Sequence, residues 1–152
     1  MRNNTIIIGI SGASASGKSL LANTIVNELG SEEVVVISED SYYKDQSGIS
    51  FEEREKTNYD HPDSLDHALL YQHLQMLQNG LMVPVPKYNH SQHAREQETR
   101  PVGKHTIIVL EGILLFVEPE LRKLMDIRIF MDTPLDICLL RRLKRDVIHR
   151  QR

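Results

Sequence analysis

Apolar and polar positions fall in blocks along this chain. Thr5-Ile-Ile-Ile-Gly-Ile10 is a β-branched, apolar run that ends in a cluster of glycine and serine. Such a run predicts a strand buried on both faces, as in a parallel sheet. From Lys18 to Leu29 the period becomes helical. Leu21, Ile25 and Leu29 fall on one face, and Gly30 can cap the end. Val34-Val-Val-Ile37 predicts a second buried strand. Residues 38–63 are polar with little apolar period, and excursions of that length inside compact domains are usually functional.

Ser64 can cap a helix carrying Leu65, Leu69, Leu70, Leu74 and Leu77, closed by Gly80. Pro84 and Pro86 forbid a central strand between Leu81 and Tyr88 and predict an edge ribbon or hairpin arm, with the chain returning over 89–105. Thr106-Ile-Ile-Val-Leu110 predicts a third buried strand, and Asp126 to Met131 a fourth. Thr133 can cap the last helix with Pro134 at its first position. Leu135, Leu139, Leu143 and Val147 give that helix one apolar residue per turn. Strands alternating with helices predict an α/β fold, a mainly parallel sheet flanked by helices, as a single domain over 1–152. Ligands should gather at the carboxyl ends of its strands.

Composition narrows this picture. Hydrophobic residues at 40% and charged residues at 26% suit a globular protein with one core. A net charge of -3 argues against nucleic-acid binding by the whole surface. The longest apolar run, Ile113 to Val117, is too short to span a bilayer, and no membrane partner is expected. The amino terminus lacks the pattern of a signal peptide, and the single Cys138 excludes an internal disulfide. A cytoplasmic protein is the expectation.

The chemistry starts at Gly12-Ala13-Ser14-Ala15-Ser16-Gly17-Lys18-Ser19, which satisfies G-x-x-x-x-G-K-[ST]. Its glycines let backbone N–H groups approach phosphate oxygens, and the following helix directs its unpaired N–H groups at the anion. Lys18 would reach the terminal phosphates of a nucleoside triphosphate, and the Ser19 hydroxyl would coordinate magnesium. Leu20 completes the nucleotide-binding segment. The loop follows a predicted strand and opens a predicted helix, as that mechanism needs. Phosphoryl transfer also needs acids near the metal and the attacking hydroxyl. The second strand delivers Asp40 or Glu39, and the third delivers Glu111. Both acids lie near the loop if these strands flank the first. The seven histidines show no metal-ligand spacing, and most are expected to face solvent. Cys138 reads as a buried structural thiol.

Five ordered motifs together resemble the uridine-cytidine kinase family. They are the phosphate loop, Ser38-Glu-Asp-Ser-Tyr-Tyr-Lys44, Asn58-Tyr-Asp-His-Pro-Asp63, Leu110-Glu-Gly-Ile-Leu114 and Asp132-Thr-Pro-Leu-Asp136. The resemblance runs from about Ile6 to Arg152. It implies a P-loop nucleoside kinase with a β-hairpin insertion at about 81–105 and a partial lid at about 141–152. It implies transfer of the γ-phosphate of ATP or GTP to the 5′-hydroxyl of uridine or cytidine, with Mg2+ as cofactor. Asp40 would be the general base, with Lys18, Arg142 and Arg145 completing the catalytic set. Ser19, Glu111 and Asp40 would serve the metal. Tyr43, Tyr59 and Ile113 would line the nucleoside site, Asp60 would hold the ribose hydroxyls, and Tyr88 and His93 would meet the base, with Arg142 also facing the substrate. A homo-oligomer, a tetramer by the resemblance, is the expected assembly.

Three departures from the family pattern stand out. Gln151 replaces a glycine between two arginines, His90 replaces an aromatic, and the sequence stops at Arg152, where uridine kinases continue with the rest of the lid, a strand and a helix. One sheet edge or face is therefore expected to be left uncovered, either in a truncated chain or in one that a partner completes. The alternatives are a catalytically impaired nucleotide-binding remnant and a related kinase acting on another small molecule. No N-K-x-D pattern supports a GTPase switch.

Overall fold

The structure is a computed structural model and describes residues 5–145. In chain order its elements are β1 (Ile6–Gly12), α1 (Lys18–Leu29), β2 (Val34–Ser38), α2 (Phe51–Glu55), α3 (His67–Gln78), β3 (Val83–Asn89), β4 (Ala94–Val102), β5 (Ile107–Gly112), α4 (Pro119–Leu124), β6 (Ile127–Met131) and α5 (Leu135–Leu143). Short 3-10 turns form at Glu39–Tyr42 and Pro62–Ser64. The fold class expected from the alternating pattern is the one observed. Four parallel strands stand in the order β2-β5-β1-β6, and β3 and β4 form a separate antiparallel hairpin.

The β-branched strands have apolar side chains on both faces, and each face has its own cover. On one face Ile7, Ile37, Ile108 and Leu110 pack with Leu70, Leu74 and Leu77 of α3 and with Val83, Val85 and Val102 at the base of the hairpin. On the other, Ile8, Ile10, Val34 and Val109 pack with Ala22, Leu21 and Ile25 of α1. Each fully buried Leu or Ile contributes about 1.5–3 kcal/mol relative to exposure. The hairpin is thus anchored in the core at its base, while its tip is left for other work. Its prolines stay in this two-stranded ladder, Pro84 opposite Pro101 and Pro86 opposite Thr99, and the register shifts between Pro86 and Tyr88.

The tertiary structure revises several local expectations. β2 pairs with β5 and not with β1, so of the two acid-bearing strands the Glu111 strand flanks the phosphate-loop strand and the Asp40 strand lies one place further out. Asp66, not Ser64, caps α3, its carboxylate accepting from Leu69 N at 3.1 Å, and Leu65 precedes the helix. Thr133 does not cap α5 but donates to the Ser16 carbonyl at 2.7 Å. Leu29, Leu139 and Leu143 are exposed, although they share apolar helix faces. β6 is an edge strand with Ile127 and Phe130 exposed, rather than a fully buried one. Sequence period tells which residues share a face, but the neighbours that cover the face are set by the tertiary fold. The helix α4 was not foreseen, since it follows a loop with no clear period. Val147 and the Arg150-Gln151-Arg152 segment lie outside the described residues. Gly30, with φ of +94°, ends α1 as expected and donates its N–H to the Val26 carbonyl at 2.7 Å.

Two histidines are exceptions to the expectation that most face solvent. His67 and His73 are both buried. His73 Nδ1 lies 2.8 Å from the Tyr42 hydroxyl, inside the cluster under α3. Burial holds the His73 imidazole below its ordinary value, with Arg95 adding to the effect and Asp66 opposing it. The unfolded chain therefore takes up a proton near pH 6.5 that the folded chain still refuses. Stability should be fully present above about pH 6.5 and decline as pH falls through that value. Urea titrations between pH 7.5 and 5 should show a steeper decline for the wild type than for His73→Gln, and equal slopes would exclude His73 as the source.

Candidate active site

At the carboxyl end of β1 the chain turns through Gly12, whose φ is +151°. A Cβ built there would sit 2.8 Å from the Met131 carbonyl oxygen of β6. The loop can therefore nest against the neighbouring strand only with glycine at this position. α1 then begins at Lys18, and its first N–H groups open towards the loop. Lys18 is buried and donates from Nζ to the Ala13 carbonyl at 2.8 Å. Burial lowers its ammonium pKa, and the carboxylates of Glu111 and Asp40 oppose that shift. Both acids thus stand close enough to the lysine to be felt electrostatically.

The register brings the strand ends level. Glu111 lies beside Ile10 of β1 on one side and Ser38 of β2 on the other. Burial raises the Glu111 carboxyl pKa, which a hydrogen bond from Ser38 and the charge of Lys18 pull back down. Asp40 follows β2 in the first 3-10 turn and opens onto the same space. Its neighbour Glu39 does not. The Glu39 side chain is fully buried, with Oε2 2.8 Å from His67 Nε2 and Oε1 accepting from Leu114 N at 2.9 Å. Two adjacent acids left open in the sequence are thus divided, one facing the cleft and one bracing the wall behind it. Gly112 makes room for that brace, since a Cβ there would lie 2.8 Å from Glu39 Cδ.

An aromatic cluster forms the far wall. Tyr43 contacts Tyr59, Tyr88 and His90, and its hydroxyl donates to the Tyr59 carbonyl at 3.1 Å. His93 stacks on Tyr59 with ring centroids 5.0 Å apart and an interplanar angle of 15°. The Tyr88 hydroxyl is buried with no hydrogen-bond partner among the described residues. A buried hydroxyl in that state costs free energy until something polar meets it. From the carboxyl-terminal side, Arg141 donates to the Ala15 carbonyl at 3.3 Å and Arg145 to the Ser14 hydroxyl at 2.9 Å.

One cleft of about 880 Å³ joins these walls. Ser14, Ala15, Gly17, Lys18, Ser19 and Leu20 line it from the phosphate loop, and Asp40, Glu111 and Ile113 from the strand ends. Tyr43, Tyr59, Asp60, Tyr88, His90 and His93 line it from the aromatic side, Arg141 and Arg142 from α5, and Arg145 from just beyond that helix. Gly12, Ala13 and Ser16 shape the loop without lining the cleft. Sequence reasoning passed over Ser41 and Arg141, which also line it, and Thr133, whose hydroxyl braces the loop. Nothing in the local sequence marks Thr133 for that task. Among the described residues no three His, Cys, Asp or Glu side chains gather as a metal site made by protein alone. Magnesium needs no such cage, because one or two carboxylates and the substrate's own phosphates suffice. The Ser19 hydroxyl and the carboxylates of Glu111 and Asp40 are oxygen donors of the right kind. No helix among the described residues is long and apolar enough to cross a membrane.

A parallel sheet with a phosphate loop after its first strand, acids at neighbouring strand ends and arginines facing the loop defines a P-loop kinase. Comparison with known proteins narrows the class. Residues 7–152 match the Phosphoribulokinase / Uridine kinase family, and the chain belongs to that family. It is 59% identical over 154 residues to the uridine kinase of Vibrio cholerae serotype O1, covering 99% of this chain and 72% of that one. It is 58% identical over 151 residues to the uridine kinase of Pectobacterium atrosepticum, covering 97% and 71%. Among solved structures, a Silicibacter sp. TM1040 protein described as a fructose transport system kinase superposes with a TM-score of 0.78 at 24% identity, over 95% of this chain and 73% of that one. A possible uridine kinase from Bacillus stearothermophilus gives 0.65 at 22% identity, over 90% and 76%. At these identities the structures speak for the fold alone.

Proposed function

We propose that the chain is a uridine kinase, transferring the γ-phosphate of ATP or GTP to the 5′-hydroxyl of uridine or cytidine. The observation that carries this reading is a cleft in which a phosphate loop faces a carboxylate- and aromatic-lined acceptor pocket. The relatives named uridine kinase support it, since they match nearly the whole chain. A nucleotide-binding remnant would need no acceptor pocket, and this chain has one lined by Tyr43, Tyr59, Asp60, Tyr88 and His93.

In this reading the loop N–H groups and Lys18 hold the terminal phosphates. Ser19 and Glu111, with Asp40 close by, would hold magnesium, whose charge would offset that of the phosphates. Asp40 accepts the proton of the 5′-hydroxyl as it attacks. Asp60 accepts hydrogen bonds from the ribose hydroxyls, while Tyr43, Tyr59 and Ile113 enclose the nucleoside. Tyr88 and His93 meet the base edge, and His90 stands where it can contact the ring. Arg142 and Arg145, on the partial lid that begins near residue 141, stabilise charge developing on the transferred group. A homo-oligomer working in the cytoplasm belongs to the same reading.

The direct test is incubation with Mg-ATP and uridine, followed by chromatography for uridine monophosphate. Product formation supports the reading, while ATP binding without turnover supports the remnant. The ribose contact has its own test. Hydrogen bonds to a charged group contribute about 1.5–3 kcal/mol. Asp60→Ala should therefore raise the KM for uridine about 10- to 100-fold. Deoxyuridine, lacking one of the two hydroxyls, should lose less, so the preference for ribose should narrow. A preference left intact would remove Asp60 from the ribose site.

A further inference from the structure

The aromatic wall raises a question of support. His93 sits at the tip of the β3–β4 hairpin, far from the hairpin's buried base, and its φ is +49°. A non-glycine residue in the left-handed region persists only where its surroundings hold it there. Its ring stacks on Tyr59 at 5.0 Å and contacts Phe51 of α2 at 5.7 Å. The backbone beside it is held within the hairpin by Asn89, whose Oδ1 accepts from Ser91 N and Gln92 N, and from outside the hairpin by Arg54 of α2.

Arg54 does not line the cleft, yet its guanidinium reaches three separate backbone carbonyls. Nη1 donates to Gln92 at 2.9 Å, Nε to Ile49 at 3.1 Å and Nη2 to Ser47 at 3.3 Å. Its own carbonyl accepts the Tyr59 hydroxyl at 2.9 Å. Gln92 immediately precedes His93 in the chain. One residue therefore ties the hairpin tip, the 47–49 loop and the tyrosine that stacks on His93. Only the fork of an arginine offers donors in several fixed directions at once.

We infer that Arg54 is the positioning residue for the base-reading part of the acceptor site, setting the hairpin tip so that His93 and Tyr59 face the nucleoside. This rests on the uridine kinase reading, and it adds a residue that never touches substrate. The reacting groups on the phosphate-loop side do not depend on it, so its effect should be confined to the acceptor.

The test is steady-state kinetics on the full chain with Mg-ATP and uridine, together with uridine binding by calorimetry. Misplacing a binding group by about an ångström can cost up to about a hundredfold. Arg54→Ala should raise the KM and Kd for uridine about tenfold or more, with the KM for ATP changed less than about twofold. Arg54→Lys should show most of the same loss, because one ammonium cannot reach three carbonyls. In a His93→Ala background, Arg54→Ala should add less than about twofold, since the group it positions is gone. Parallel rises in the KM for ATP and uridine, full additivity with His93→Ala, or no change in uridine affinity would each overturn the inference. If Arg54→Ala does not fold, Arg54→Lys carries the same comparisons. Wild-type turnover of uridine with an indifferent Arg54→Ala variant defeats only the Arg54 role. A wild type that neither binds nor phosphorylates uridine defeats the functional reading and this inference with it.

Discussion

Asp40→Asn is expected to lower kcat for uridine about 10²- to 10⁴-fold, the usual contribution of a positioned general base. The substitution keeps the size and shape of the side chain but replaces a proton acceptor with an amide. The phosphate loop, Lys18 and Ser19 are untouched, so ATP affinity should stay within about twofold of the wild type. Asp40 opens onto the cleft from the turn after β2, and its charge is felt by Lys18. That position suits a base acting on the acceptor hydroxyl while the lysine holds the phosphates. Steady-state rates and nucleotide titration on the same preparation separate the two effects. An unchanged rate would falsify the assignment.

Its neighbour should behave in the opposite way. Glu39→Ala should cost about 3–5 kcal/mol of stability, because it strands the partners of a buried carboxylate. The His67 ring and the Leu114 N–H both lose their acceptor. For a domain of this size that loss lowers Tm by roughly 6–20 °C, at 2–4 °C for each kcal/mol. Glu39→Gln keeps an oxygen for one of the two donors and should cost visibly less. Thermal melts of the two variants decide the matter. A melting temperature unchanged in Glu39→Ala would mean that the brace contributes nothing. The contrast between Asp40 and Glu39 is informative as a pair: substitution of one should remove turnover and leave stability, and substitution of the other should act first on stability.

These two residues also show where sequence reading stops. Both acids follow the same β-branched strand, and either could have served the reaction. Which one faces the cleft depends on the 3-10 turn at Glu39–Tyr42 and on His67 from α3, which arrives from 28 residues away. No local pattern carries that information. The same holds for Thr133 and Arg54, whose bonds to Ser16 and Gln92 cross large stretches of chain. Histidine is intermediate in its tendency to be buried, so nothing local marks His67 and His73 as buried; each has a partner that makes burial tolerable.

The phosphate loop was legible at once, because its chemistry lives in consecutive residues whose backbone conformation depends on glycine. The strands were legible because β-branched runs buried on both faces leave few other choices, and the α/β class followed from their alternation with helices. Those are local properties, and local sequence determined them. Strand order was decided only in three dimensions, with β5 between β1 and β2. The division of labour between Asp40 and Glu39, and the bracing of the hairpin tip by Arg54, were decided there too. Each of these depends on contacts between residues far apart in the chain, which form only when the sheet, its helices and the hairpin pack together.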